Sequence, residues 1–216
     1  MKKVHSSFYN KNRELSYQVL IRYFERNNLR RASDSSIGKY SLWGENILYS
    51  LEGIKTFITK DFYITILKDE KQLTVGRNDQ AADPVFIFGK WDSLFSEELM
   101  TIRNIKNGSL ADSCINFRFT PKSEEIIDSM DIEINTDSWL LSSITFYYSK
   151  KFRISDDESY GPVLKFTYMN YKAIPINEEI KNQYSISNFV KIKSQDNVVP
   201  GKAYEGYEIV NNLKFK

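Results

Sequence analysis

Apolar and polar residues alternate along most of this chain, and the alternation has a period of two. From Leu15 to Phe24, the side chains of Leu15, Tyr17, Val19, Ile21 and Tyr23 fall on one side, with Ser16, Gln18 and Arg22 among those on the other. That is the pattern of a strand with one buried face. After a polar stretch come five short apolar segments, Ile37 to Trp43, Ile47 to Leu51, Ile54 to Thr59, Phe62 to Leu67 and Gln72 to Val75. Their separators, among them Gly44-Glu45-Asn46, Glu52-Gly53 and Lys60-Asp61, supply the residues that tight antiparallel turns need, so a meander is predicted.

The period changes at Asn78. Over 78–107, Trp91, Leu94, Phe95, Leu99, Met100 and Ile102 recur at three- and four-residue spacing, which predicts one or two short helices. Asp92 or Ser93 would cap the start and Asn107-Gly108 the end. From Ser113 the alternation returns in Ile115, Phe117 and Phe119, in Met130, Ile132 and Ile134, in Ile144, Phe146 and Tyr148, and in Leu164, Phe166 and Tyr168. Ser185 to Ile192 adds a further strand, and Asn197 to Gly206, with Pro200-Gly201, reads as a loop. Val4 to Asn12 has no readable period. The predicted fold is mainly β (α+β), one domain over residues 1–216: a curved antiparallel sheet or incomplete β-barrel of about nine to ten strands covered by the short helices of 78–107.

Composition agrees with that fold. Aromatic residues make up 14% of the 216, with fourteen Tyr and fourteen Phe, side chains that suit a pleated, half-buried surface. The net charge of +2 is too small to point to nucleic acid. Its distribution is uneven, since residues 1 to 31 hold eight Lys/Arg against two Glu. This basic end is read as a solvated, Arg-bearing edge strand, with contact to an anionic membrane surface open to it. Met1-Lys2-Lys3 resembles the charged start of a leader, but Val4 to Glu14 has no apolar run to follow it. The sequence leaves the compartment open: cytoplasmic if it is complete as given, periplasmic or cell-envelope if a leader has been removed. No stretch has the eighteen apolar residues of a membrane-spanning helix.

Candidate chemistry is thin. With Cys114 and His5 each alone, neither an intrachain disulfide nor a zinc cluster of ordinary spacing can form, and no metal site or cofactor is expected. No phosphate-binding loop is present, because Gly38-Lys39, Gly89-Lys90 and Gly201-Lys202 are each followed by the wrong residue. The acids Asp128, Asp131, Glu133 and Asp137 are close enough in sequence to suggest a carboxylate pair. Asp131 and Glu133 alternate with Ile132 and Ile134, however, which reads as a solvent face. No catalytic residue is assigned. What remains is the apolar side of the sheet: Tyr17, Val19, Ile21, Ile132, Ile134, Ile144, Phe146, Leu164 and Phe166 as lining for an apolar ligand, with Trp91, Leu94 and Phe95 as a lid. The alternative is an interaction or scaffold protein with a filled core that meets a protein partner through its surface.

The order of segments resembles the LolA/LolB group of lipoprotein carriers. The likeness lies in Leu15 to Phe24, in Gly38 to Trp43 followed by Lys60 to Leu67, in Met130 to Asn135 with Leu140 to Tyr148, and in Leu164 to Tyr171 leading past Ile174-Pro175-Ile176 to Phe189. The resemblance implies a curved antiparallel sheet closed by helices that holds acyl chains, without enzymatic activity, with a lipid or lipoprotein acyl chain as partner.

Overall fold

A computed structural model describes residues 12–25, 28–78, 100–105, 113–122, 126–150, 161–194 and 197–213. The lid residues Trp91, Leu94 and Phe95, and His5 with the arm before Asn12, lie outside them. The described chain is mostly strand: β1 (Arg13–Phe24), β2 (Asp34–Trp43), β3 (Asn46–Leu51), β4 (Ile54–Ile58), β5 (Phe62–Leu67), β6 (Gln72–Arg77), β7 (Met100–Ile105), β8 (Cys114–Pro121), β9 (Ile127–Asn135), β10 (Leu141–Tyr148) and β11 (Val163–Pro175). A six-residue helix α1 (Glu178–Gln183) follows, then β12 (Val190–Ser194), β13 (Asn197–Pro200) and β14 (Glu208–Asn212).

Twelve strands are hydrogen-bonded in the order β14-β6-β5-β4-β3-β2-β1-β11-β10-β9-β8-β7, and β12 pairs with β13 alone. The order has two ends, so the sheet is not closed into a barrel. The meander β2 to β6 is present, each strand antiparallel to the one before. Three expectations are corrected. Met100 to Ile105, read as the tail of a helix, is a strand whose partner is β8; pairing decides the state of a short apolar run that period alone leaves ambiguous. β1 is not an edge strand but lies between β2 and β11. Asn197 to Pro200, read as loop, pairs with Val190 to Ser194, and a single 3-10 turn at Ile186–Asn188 occupies the start of the predicted late strand.

Contacts group the chain into two compact units, one of Gln18–Ile37 and Pro84–Met169 with Met1–Phe8, the other of Tyr9–Tyr17, Gly38–Asp83 and Asn170–Lys216. In the second, β4, β5 and β6 turn Phe57, Ile64, Ile66, Leu73 and Val75 to one side, where Ile180, Tyr184, Phe189, Val190 and Leu213 cover them. The cover is local in origin. Pro175 ends β11, Asn177 caps α1 by accepting the Ile180 N–H at 2.8 Å, and Glu178 and Glu179 place negative charge in its first turn. After the β12–β13 hairpin the chain reaches the free side of β6 and lies parallel to it as β14.

The other side of these strands carries a row of tyrosines. Tyr17 stacks on Tyr40 at 5.3 Å and meets Tyr171 at a tilt at 5.2 Å, and Tyr40 stacks on its pairing partner Tyr49 at 5.4 Å. Tyr171 joins this row because Asn170 adopts φ 57°, a left-handed conformation that asparagine tolerates, and so interrupts the alternation of β11. Further along, the ring of Tyr63 lies on its partner Gly76, where a Cβ would collide with it.

Glu14, on β1, is buried and accepts a hydrogen bond from the Tyr184 hydroxyl at 2.8 Å. Burial first, and the Glu14 carboxyl second, raise the Tyr184 phenol well above its ordinary value. A phenol raised in the folded state contributes stability that is complete below the unfolded value and lost above it. Unfolding measured against pH should therefore show stability falling above about pH 10. Tyr184→Phe should flatten that fall, and at pH 7 should cost about 1–3 kcal/mol, because Glu14 loses its donor. A second prediction concerns the β3–β4 turn. Its two central residues, Glu52 at φ 46° and Gly53 at φ 83°, both occupy the left-handed region, which favours Asn over Glu at the first position. Glu52→Asn should raise stability by about 0.5–1 kcal/mol in chemical denaturation.

Candidate functional site

The first unit contains the strands that carry most of the predicted lining. Residues directly opposite in an antiparallel pair share a side of the sheet. Phe117 pairs with Ile132, Ile132 with Ile144 and Ile144 with Phe166. Phe119 pairs with Met130, Met130 with Phe146 and Phe146 with Leu164, and Ile115 pairs with Ile134. These residues make one continuous apolar side across β8 to β11. Arg22 of β1 reaches the opposite side, where its guanidinium donates to the Thr167 hydroxyl at 3.3 Å. Alternation along β1 therefore sends Val19 and Ile21 to the apolar side.

Burial divides this side in two. Val19, Phe119, Met130, Ile132, Ile134 and Ile144 are buried. Ile21, Ile115, Phe117, Phe146, Leu164 and Phe166 are only half-buried. Phe146 meets Phe166 edge-on at 5.8 Å and Tyr148 at 6.4 Å. Of the nine lining residues expected from the sequence, the pairing thus places Ile132, Ile134, Ile144, Phe146, Leu164 and Phe166 together, and alternation adds Val19 and Ile21. Tyr17, the ninth, belongs to the tyrosine row of the second unit. Ile115, Phe117 and Tyr148 were recognised as strand residues but not as part of this group. Their signal was the same alternation; the pairing register places Ile115 and Phe117 beside Ile134 and Ile132, and the ring contact places Tyr148 beside Phe146.

The opposite side is polar and its groups are engaged with each other. Arg118 grips Asp131 with two bonds of 2.6 Å, Tyr147 donates to Asp131 at 3.2 Å, and the Arg118 guanidinium lies 5.5 Å from the Tyr147 ring centre. The bond to Asp131 raises the Arg118 value further, and burial, then Asp131, raises the Tyr147 phenol. Glu133 accepts from Ser143 at 3.1 Å. Of the four acids considered for a carboxylate pair, Asp131 and Glu133 are therefore hydrogen-bonded to their own sheet neighbours. Burial raises the Cys114 thiol, so the thiolate that nucleophilic chemistry needs is disfavoured. Among the described residues no three His, Cys, Asp or Glu side chains gather as a metal site, and no helix is long and apolar enough to cross a membrane.

No family model and no curated protein matches the chain. Solved structures do. An uncharacterized conserved protein from Thermus thermophilus superposes with a TM-score of 0.50 over 97% of this chain and 94% of that one, at 9% identity. A LolA superfamily protein from Nitrosomonas europaea gives 0.38 over 83% and 94%, at 12% identity. A putative outer membrane lipoprotein-sorting protein domain from Vibrio parahaemolyticus gives 0.37 over 84% and 94%, at 10% identity. At these identities the likeness to the Thermus protein is one of fold alone.

The two sides of the first unit should respond differently to truncation. Ile132→Ala removes a fully buried side chain and should cost about 2–5 kcal/mol in denaturant unfolding. Arg118→Ala breaks a partly exposed ion pair and should cost about 1 kcal/mol or less.

Proposed function

We propose that this chain is a non-enzymatic binding protein that holds an acyl chain, or a comparable apolar group of a lipid or lipoprotein, against the apolar side of its first unit. The observation that carries the reading is the half-buried group Phe117, Phe146, Leu164 and Phe166 beside the buried Ile132 and Ile144. The buried residues have already lost their water to the chain's own atoms. The half-buried ones keep apolar surface that a ligand can take from water, at roughly 25 cal/mol per Å². The resemblance to the LolA/LolB carriers read from the sequence points to the same ligand class. The acids, the arginine and the tyrosine that an enzyme would use are turned to the other side and bound to one another.

A second reading, a scaffold with a filled core, is favoured by the burial of Val19, Ile132, Ile134 and Ile144. Titration with cis-parinaric acid separates the two. The parent should bind the probe saturably. Phe146→Ala and Phe166→Ala should each weaken binding about fivefold, equivalent to about 1 kcal/mol of lost contact, while Arg118→Ala leaves it unchanged. No saturable binding, or the same affinity in all four proteins, would return the apolar side to the role of core.

A further inference from the structure

The antiparallel order of the first unit gathers three connections at one end of its strands. β1 ends there at Phe24 and β2 begins at Asp34, with the Ser33 N–H bonded to the Tyr23 carbonyl at 2.9 Å. β10 ends and β11 begins there, with the Tyr148 N–H on the Pro162 carbonyl at 3.0 Å. β8 ends and β9 begins there, and the Ser149 N–H reaches the Ile126 carbonyl at 2.8 Å. The bond from Arg22 to Thr167 fixes the end of β1 beside the start of β11.

The three most exposed large apolar side chains among the described residues all belong to this end: Ile126 at 57%, Ile37 at 54% and Leu29 at 52%. Leu29 and Ile126 sit on separate connections, and Ile37 lies near the start of β2. Cations stand beside them. Arg30 and Arg31 follow Leu29, Lys150 follows Ser149, whose amide bonds Ile126, and Lys122 follows β8; all four are exposed. The exposed acids Glu25, Asp34 and Asp128 share this end. Asp34 is turned back onto the Ser35 N–H at 2.7 Å.

We propose that this end of the first unit docks on a lipid bilayer containing anionic headgroups, with Leu29, Ile37 and Ile126 entering the interface and Arg30 and Arg31 meeting phosphate. A fluid surface accepts apolar tips carried on separate connections, whereas a protein partner requires a contiguous, complementary patch of about 800 Å². The headgroup attraction is the smaller component, because among the described residues four exposed cations stand against three exposed carboxylates here, so anionic lipid should strengthen binding severalfold and not by orders of magnitude. The inference stands apart from the apolar-side reading, since none of these residues belongs to that side's half-buried group.

The test is flotation of the full chain with vesicles of phosphatidylcholine, with and without about one quarter phosphatidylglycerol. The parent should float, more strongly with phosphatidylglycerol. Leu29→Ser/Ile37→Ser/Ile126→Ser should lose at least about tenfold in partition, and Arg30→Gln/Arg31→Gln should lose the phosphatidylglycerol preference and its salt sensitivity. These are surface changes that should leave melting almost unmoved, and the triple variant should still bind cis-parinaric acid as the parent does, which keeps the outcome separate from that of the apolar side. A parent that does not float, or floats equally on both vesicles, overturns the proposal, as does a triple variant that floats like the parent. Self-association of the parent that the triple variant loses would assign the surface to a second copy of the chain instead.

Discussion

The row Phe117, Ile132, Ile144 and Phe166, each paired with the next across β8, β9, β10 and β11, is the constraint on which the first unit depends. Side chains alternate with a period of two, so a slip of one residue in any of these pairings would send a whole strand's apolar set to the polar side. The same slip would bring Asp131, Glu133 and Arg118 into the apolar layer without their partners. Register is thus held twice, by burial on one side and by the Arg118–Asp131–Tyr147 group on the other. The polar group gives little net stability at an exposed site. Its contribution is to make the wrong register costly.

In the second unit apolar side chains lie on both sides of the sheet, and the consequence is visible in the composition of its strands. Phe57, Ile64, Ile66, Leu73 and Val75 face the cover formed after β11, while Leu42, Ile47, Ile58 and Tyr40 are buried on the reverse. Strands with two buried sides read as nearly continuous apolar runs, which is how Phe62 to Leu67 appears in the sequence. The cover depends on a short helix that would not persist alone. Asn177 caps it, and Ile180 and Tyr184 anchor it, Tyr184 through the buried bond to Glu14. With that anchor in place the following segment can pair as β12 and β13 and return as β14 along β6.

Most strands were legible because alternation and turn residues are local properties. What was not legible depends on distant partners. Met100 to Ile105 carries spacing compatible with either state, and only the presence of β8 makes it a strand. The basic charges of β1 suggested an edge, but its neighbours are set by where β11 returns, with Thr167 meeting Arg22 across 145 residues of chain. Alternation would have put Asn170 in the tyrosine row; the left-handed residue at that position gives the place to Tyr171. Alternation was enough to place these apolar residues on one side of their strands, yet the distinction between Ile132 and Phe146 was invisible, because both are large apolar residues at alternating positions. Burial separates them, and burial is a property of what lies above the sheet.

On the proposed reading, that distinction is also where core and binding surface part. A residue such as Ile132, with no surface left, gives all its hydrophobic stabilisation to folding, and truncating it leaves a cavity. A residue such as Phe166, half-buried and edge-on to Phe146, gives part to folding and keeps part available for association. The two kinds lie next to each other in one row because pairing sets the side of each residue but not the depth of its cover. A sheet of this kind can accept an apolar guest without any change of register, since the backbone pairing, the buried Ile132 and Ile144 and the Arg118–Asp131–Tyr147 group hold the register without using the surface that Phe117 and Phe166 retain. The fold would then hold its shape whether or not the guest is present, as a protein that takes up and gives away a ligand must.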